Sequence, residues 1–212
     1  MLLYLCLTKL SNIMAAKDNS TEQHIKETAM RVFFKEGRFN ATTQEIADAA
    51  GVNRTLLHYY FRTREILLDI VLKEGKSAFR TKLAETVDPA LSFKEKISRL
   101  IDVWMEHILE FPYLDAYLVS QMSNTDFLER MKKEEKENSK KTEAFFEELQ
   151  VEMNAGRIKK MDPTQFLLNF ISMVSYPLVM RPLLEASMFK TKRAYNQALE
   201  HRKEAILAAL FI

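Results

Sequence analysis

A single cysteine, Cys6, excludes an internal disulfide framework and fits a reducing, cytoplasmic setting. Glycine and proline are scarce, at 4 and 5 of 212 residues, while Leu, Glu, Lys, Ala and Met are plentiful; this balance favours helices. There is no glycine-rich phosphate loop, no Cys-x-x-Cys, no His-Glu-x-x-His and no nucleophile elbow. His24, His58, His107 and His201 are scattered without paired metal spacing, and the carboxylates lie in surface-like runs. Nothing identifies a metal or a cofactor, and an enzyme would have to assemble its site from distant residues. The net charge of +2 is too small for a nonspecific polycation, so nucleic-acid binding must come from local charge.

Two apolar runs are membrane candidates, and both fall short. The opening MLLYLCL has no cationic region before it and no small-residue cleavage site after it. Residues 1–13 read as an upstream extension, with Met14 an alternative start. The stretch from Pro163 to Met180 carries no charge, yet Gln165, Asn169, two serines, Pro177 and the adjacent Arg181 argue against a bilayer.

The most informative stretch is Thr42 to Arg64, TTQEIADAAGVNRTLLHYYFRTR. Thr42 and Glu45 stand at capping-box spacing, Ile46, Ala47 and Ala50 form a short apolar face, and Gly51 stops the helix. Val52 plugs the turn. Asn53 caps a second helix in which Leu57 and Phe61 face inward. Arg54, Thr55, His58, Tyr59 and Arg62 remain outward, a basic, hydroxyl and aromatic surface suited to the major groove of DNA. Arg54, Arg62 and Arg64, with no acid between Asn53 and Arg64, give a local charge of +3.

The run T-T-x-x-I-A-x-A-A-G-V followed by L-x-Y-Y-F-x-x-R-E-x-L resembles the DNA-binding domain of TetR/AcrR-type bacterial transcriptional regulators. Those proteins usually show Y-Y-H-F-x-x-K, where this chain has His58-Tyr59-Tyr60-Phe61 and then Arg64. The last change keeps a phosphate-seeking cation; the His58 and Tyr60 differences leave the operator open. The match spans about residues 21 to 72.

A first helix is expected from Thr21 to Gly37, with Phe33, Phe34 and Phe39 building the core of the head. Thr63 caps a fourth helix whose apolar face is Ile66, Leu67, Ile70 and Val71; it runs past Gly75 and is the natural lever for a signal. Pro89 marks a boundary. Further helices are expected at about Ser92–Phe111, Tyr113–Met122 and Phe127–Asn154, the last charged and solvated, with Glu129/Lys133 and Glu137/Lys141 at i,i+4 spacing. The stretch Pro163–Met180 and a helix from Lys192 to Leu210 are too apolar for one chain to cover. A homodimer through these last two helices is therefore expected, using Phe166, Phe170, Val174, Leu178, Tyr195, Leu199, Ile206 and Leu210; the resemblance implies the same.

The expected fold is all-α: a three-helix helix-turn-helix head (20–66) after an N-terminal extension (1–19), and a helical ligand-sensing and dimerisation body (67–212). Thr42, Thr43, Tyr59 and Arg64 are assigned to phosphates. Arg54, Thr55 and His58 are assigned to bases; Asn53, Tyr60 and Arg62 complete the DNA set. For an apolar effector the candidates are Trp104, Met105, His107, Ile108, Phe111, Tyr117, Phe145, Phe170, Met173 and Tyr176, against the plainer reading of an ordinary core. His107 reads as a polar residue near the surface. The expected protein is a repressor binding a palindromic double-stranded operator; the alternative is a helical interaction protein with a vestigial head.

Overall fold

The computed structural model describes residues 19–86, 88–136 and 139–212. The expected extension and its start at Met14, and the Glu137/Lys141 pair, lie outside what is described. The elements are α1 (19–30, running into a π-helical turn Arg31–Lys35), α2 (Thr43–Ala49), α3 (Arg54–Phe61), α4 (Arg64–Thr86), α5 (Phe93–Glu110) and α6 (Leu114–Ser120). They continue with α7 (Thr125–Lys136), α8 (Ser139–Asn154), α9 (Pro163–Val179), α10 (Arg181–Ser187), α11 (Lys192–Glu200) and α12 (Arg202–Leu210). Among the described residues the only extended pairing is an isolated bridge between Ile158 and Phe211.

The chain divides into two compact units, one ending at Ala78 and one beginning at Phe79. The expected boundary at residue 66 falls too early, because Leu67, Leu68, Val71 and Leu72 of α4 are buried with the head. Ile66, expected on that face, is 45% exposed, so the stripe is displaced by one position. In the head, Ile25, Val32, Phe33 and Phe34 pack with Ile46, Leu57 and Phe61, all at most 2% exposed. Gly75 lets α4 approach α1: a Cβ there would lie 2.6 Å from the Met30 methyl.

The body core joins α5, α8, α9 and α12 through Phe93, Ile97 and Ile101, Leu149 and Met153, Phe166, Phe170 and Val174, Ile206 and Leu210. This corrects the dimer assignment. Phe166, Phe170, Val174, Leu178, Tyr195, Ile206 and Leu210 are at most 4% exposed in the single chain, and Leu199 is half-buried. The last helices cover one another because they form four segments (α9–α12), not two straight rods. Here α9 and α10 meet at a 68° bend, and no single helix among the described residues is long and apolar enough to cross a membrane. The exposed large apolar groups on this part of the body are Leu168 and Tyr176 of α9, Leu183 of α10, Met188 at the end of α10 and Ile212 after α12.

Candidate nucleic-acid interface

Side chains close in sequence cap the starts of α2, α3 and α4. Thr42 Oγ1 accepts from Glu45 N at 3.2 Å, and Thr42 N donates to the Glu45 carboxylate at 2.8 Å, completing the capping box. These bonds from Thr42, and one from Arg38, hold the Glu45 carboxyl below the usual range. The Thr42 hydroxyl proton also goes to Glu45, at 2.9 Å, which takes it away from the phosphate role expected of it. Gly51 turns the chain at φ 64°, where a side chain would be strained. His24 reaches the carbonyl of Ala50 at 3.1 Å and braces that turn from α1, a contact with no local sequence signal.

Asn53 Oδ1 accepts from Leu56 N at 2.8 Å and so caps α3 rather than reading bases. With Leu57 and Phe61 buried, Arg54, Thr55, His58 and Tyr59 are exposed together on the opposite side, Tyr59 by 65%. Tyr60 is half-buried and edge-on to Tyr59 at 5.2 Å, so it packs as well as presents. Among the described residues no ion pair involves Arg54 or Arg62, which leaves both charges available. Arg62 ends the helix at φ 60°, ψ −61°, with Thr63 N donating to Phe61 O at 2.6 Å. This positive-φ γ-turn costs on the order of 1–3 kcal/mol in backbone strain. Thr63 then caps α4, accepting from Ile66 N at 3.2 Å.

Arg64 was expected to be a phosphate clamp, and its position changes that assignment. Its Nε donates to the carbonyl of Ala41 at 2.9 Å, and its guanidinium lies 5.5 Å from the centroid of the Phe33 ring. With the side chain only 23% exposed and near Glu65 at 3.4 Å, it pins the start of α4 to the residue before the α2 cap. Arg64 is first a structural residue.

The sequence pattern of the bacterial regulatory proteins of the tetR family matches residues 25–71. Over these residues the head is similar to those of the tetR family. A relative, the HTH-type transcriptional repressor NicS of Pseudomonas putida, is 26% identical over 104 residues, 47% of this chain and 49% of that one. The HTH-type transcriptional regulator BetI of Rhizobium meliloti is 32% identical over 77 residues, 36% of this chain and 38% of that one. The chain thus spans half or less of the length of these relatives. The TetR-type likeness extends to the body as fold alone. The ketosteroid transcriptional regulator KstR2 of Mycobacterium tuberculosis superposes with a TM-score of 0.66 at 15% identity, over 90% of this chain and 95% of that one. The fatty acid degradation regulator FadR of Bacillus halodurans gives 0.58 at 16%, over 88% and 94%.

In the body, the aromatic effector candidates Trp104, His107, Phe111 and Phe170 gather near Phe79, while Phe145 and Tyr176 lie apart. Trp104 is edge-on to Phe79 and to Phe170, each at 5.8 Å, while His107 stacks on Phe79 at 4.2 Å and meets Phe111 at 5.9 Å. Ile108 is buried, and Met105, Tyr117 and Met173 are half-buried. Phe145 instead packs on Phe93 and Phe166 in the central core. Tyr176 is 55% exposed and faces out, so it is no wall of an enclosed site. His107 is not near the surface: it is 7% exposed, and burial, with Lys82 nearby, lowers its pKa to about 4. Phe79 was missed because it lies beyond the head pattern, on α4.

Proposed function

We propose that the protein is a cytoplasmic, sequence-specific DNA-binding repressor that acts as a dimer on a palindromic operator. The observation that carries this is the exposed row of Arg54, Thr55, His58 and Tyr59 on a helix whose other face is buried and whose start is capped by Asn53. Arg54, at the helix start, reaches guanine O6 and N7, a pairing worth about 1–3 kcal/mol in discrimination. Arg62 and Thr43 sit at the flanks for phosphates. The dimer uses the outward side of α9 and α10, where Leu168, Tyr176 and Leu183 are exposed and no residue from Pro163 to Met180 is charged.

The effector is a small apolar molecule seated among Phe79, Trp104, His107, Phe111 and Phe170. The aromatic cluster these side chains form supports this, as do fold neighbours named as a ketosteroid transcriptional regulator and a fatty acid degradation regulator. Because α4 joins head to body through the chain itself, a change at Phe79 has a covalent path to Arg64. The effector acts only if it prefers one arrangement of the heads over the other.

The direct test is Arg54→Ala, compared with wild type on operator and on unrelated DNA over a series of salt concentrations. The expected outcome is a roughly tenfold or greater loss on the operator, little change on unrelated DNA, and a steep fall of affinity with salt for both. Equal losses on both DNAs would make Arg54 a phosphate contact and remove the base-reading role.

A further inference from the structure

Pro177 stands inside α9 and has no N–H, so the carbonyl of Met173, four residues earlier, has no helical donor. The gap is filled from α12. Arg202 donates to that carbonyl through Nε at 2.9 Å and Nη2 at 2.7 Å. One turn on, the carbonyl of Pro177 belongs to the last turn of α9, where helical partners run out. Tyr195 Oη of α11 donates to it at 2.8 Å. The Arg181 guanidinium lies 5.3 Å from the centroid of the Tyr195 ring, and the edge of Phe189 meets the same ring at 5.4 Å.

Arg202 is half-buried, and among the described residues no carboxylate pairs with it. Burial without a counter-charge is unfavourable for a cation, and it pulls the Arg202 pKa below the ordinary guanidinium value. A pair of charge-assisted bonds to one orphaned carbonyl offsets that cost. Arginine suits the place because its fixed fork delivers two donors to a single oxygen, which a lysine ammonium on a flexible stem does less well.

We infer that Arg202 is the surrogate donor for the turn of α9 that Pro177 breaks, and a positioning residue for the outward face formed by Tyr176 and Leu183. The second half rests on the dimer reading above. Proline opens the helix at this point, and the guanidinium sets how far it opens. The direction of the last turns of α9, and hence of α10 beyond the bend, follows from that contact.

The test is a cycle of four full-length proteins: wild type, Arg202→Met, Pro177→Ala and the double variant. Thermal midpoint and self-association by sedimentation are measured on each. In the presence of Pro177, Arg202→Met should lower the midpoint by about 3–8 °C and weaken self-association about tenfold, the 1.4 kcal/mol equivalent. In the Pro177→Ala background, where residue 177 again has an N–H, both effects should shrink to a third or less. Arg202→Lys, which keeps the charge but offers one donor nitrogen in place of two, should fall between wild type and Arg202→Met. Equal losses in both backgrounds would overturn the donor role and leave Arg202 as packing only. A coupled midpoint with unchanged self-association would overturn the positioning role. Wild type that sediments as a monomer at every concentration would refute the dimer reading and the positioning half with it, while the midpoints still decide the donor role.

Discussion

In the head, the groups that finish each helix are neighbours in sequence: Thr42 serves Glu45, Asn53 serves Leu56, and Thr63 serves Ile66. The body caps its helix starts in the same way, with Ser92 serving Glu95, Asp162 serving Thr164 and Thr191 serving Ala194, but it adds donors from far along the chain, as Arg202 serves Met173 and Tyr195 serves Pro177. Both units also spend an arginine on a main-chain carbonyl, Arg64 on Ala41 and Arg202 on Met173. The difference lies in the interrupted helix. Local caps specify helix starts in both units, while the broken turn of α9 is completed by donors from α11 and α12 that reach it only once the fold has formed.

The sharpest way to break this comparison is Leu57→Ala. It empties a fully buried site in the small head core and should cost about 2–5 kcal/mol. Trp104 is the only tryptophan and lies in the body, so its emission reports that unit alone. The expected result is an early loss of helical signal at a denaturant concentration where Trp104 emission is still native. A single coincident transition would show that the two units unfold as one.

Arg64→Ala is next, at about 1–3 kcal/mol, because it leaves the Ala41 carbonyl without its donor and removes cover from Phe33. Arg64→Lys separates the two roles. If the residue is mainly structural, lysine should restore little stability; full recovery of stability would return Arg64 to the phosphate-clamp role.

His107 sharpens the contrast from the body side. The folded pKa of about 4 lies below the ordinary 6.5, so the imidazole is neutral in the folded protein. Between those values the unfolded chain takes up a proton that the folded chain does not, and stability falls as pH drops through that window. The loss is at most about 1.4 kcal/mol per pH unit and levels off below about pH 4. His107→Phe should keep the stack on Phe79 and flatten this part of the denaturation-versus-pH curve. An unchanged slope would mean that other groups carry it. The smallest effect expected is that of Thr42→Ala, about 1 kcal/mol from the lost cap, read as a lower melting temperature.

These effects also show what the sequence could say. The helix-turn-helix was legible residue by residue, since caps, Gly51 and the inward Leu57 and Phe61 all lie within a few positions of what they act on. Arg64 was misassigned because its partner, Ala41, contributes a backbone oxygen and no side-chain signal. In the body the helix starts at Ser92 and Pro163 and the stop before Pro89 were readable. The covering of α9 was not, because apolar composition cannot distinguish a surface that meets another chain from one that meets α12. His107 was placed outside for the same reason: its burial is decided by Phe79, which lies 28 positions earlier.

The central claim is specific recognition of DNA, and selection from a random duplex pool with full-length protein tests it most directly. The account predicts an enriched inverted repeat with half-sites about one helical turn apart, lost when the selection is repeated with Arg54→Ala. Folded wild-type protein that enriches no sequence at low salt would contradict it, and would turn the account toward an interaction protein whose head no longer reads DNA.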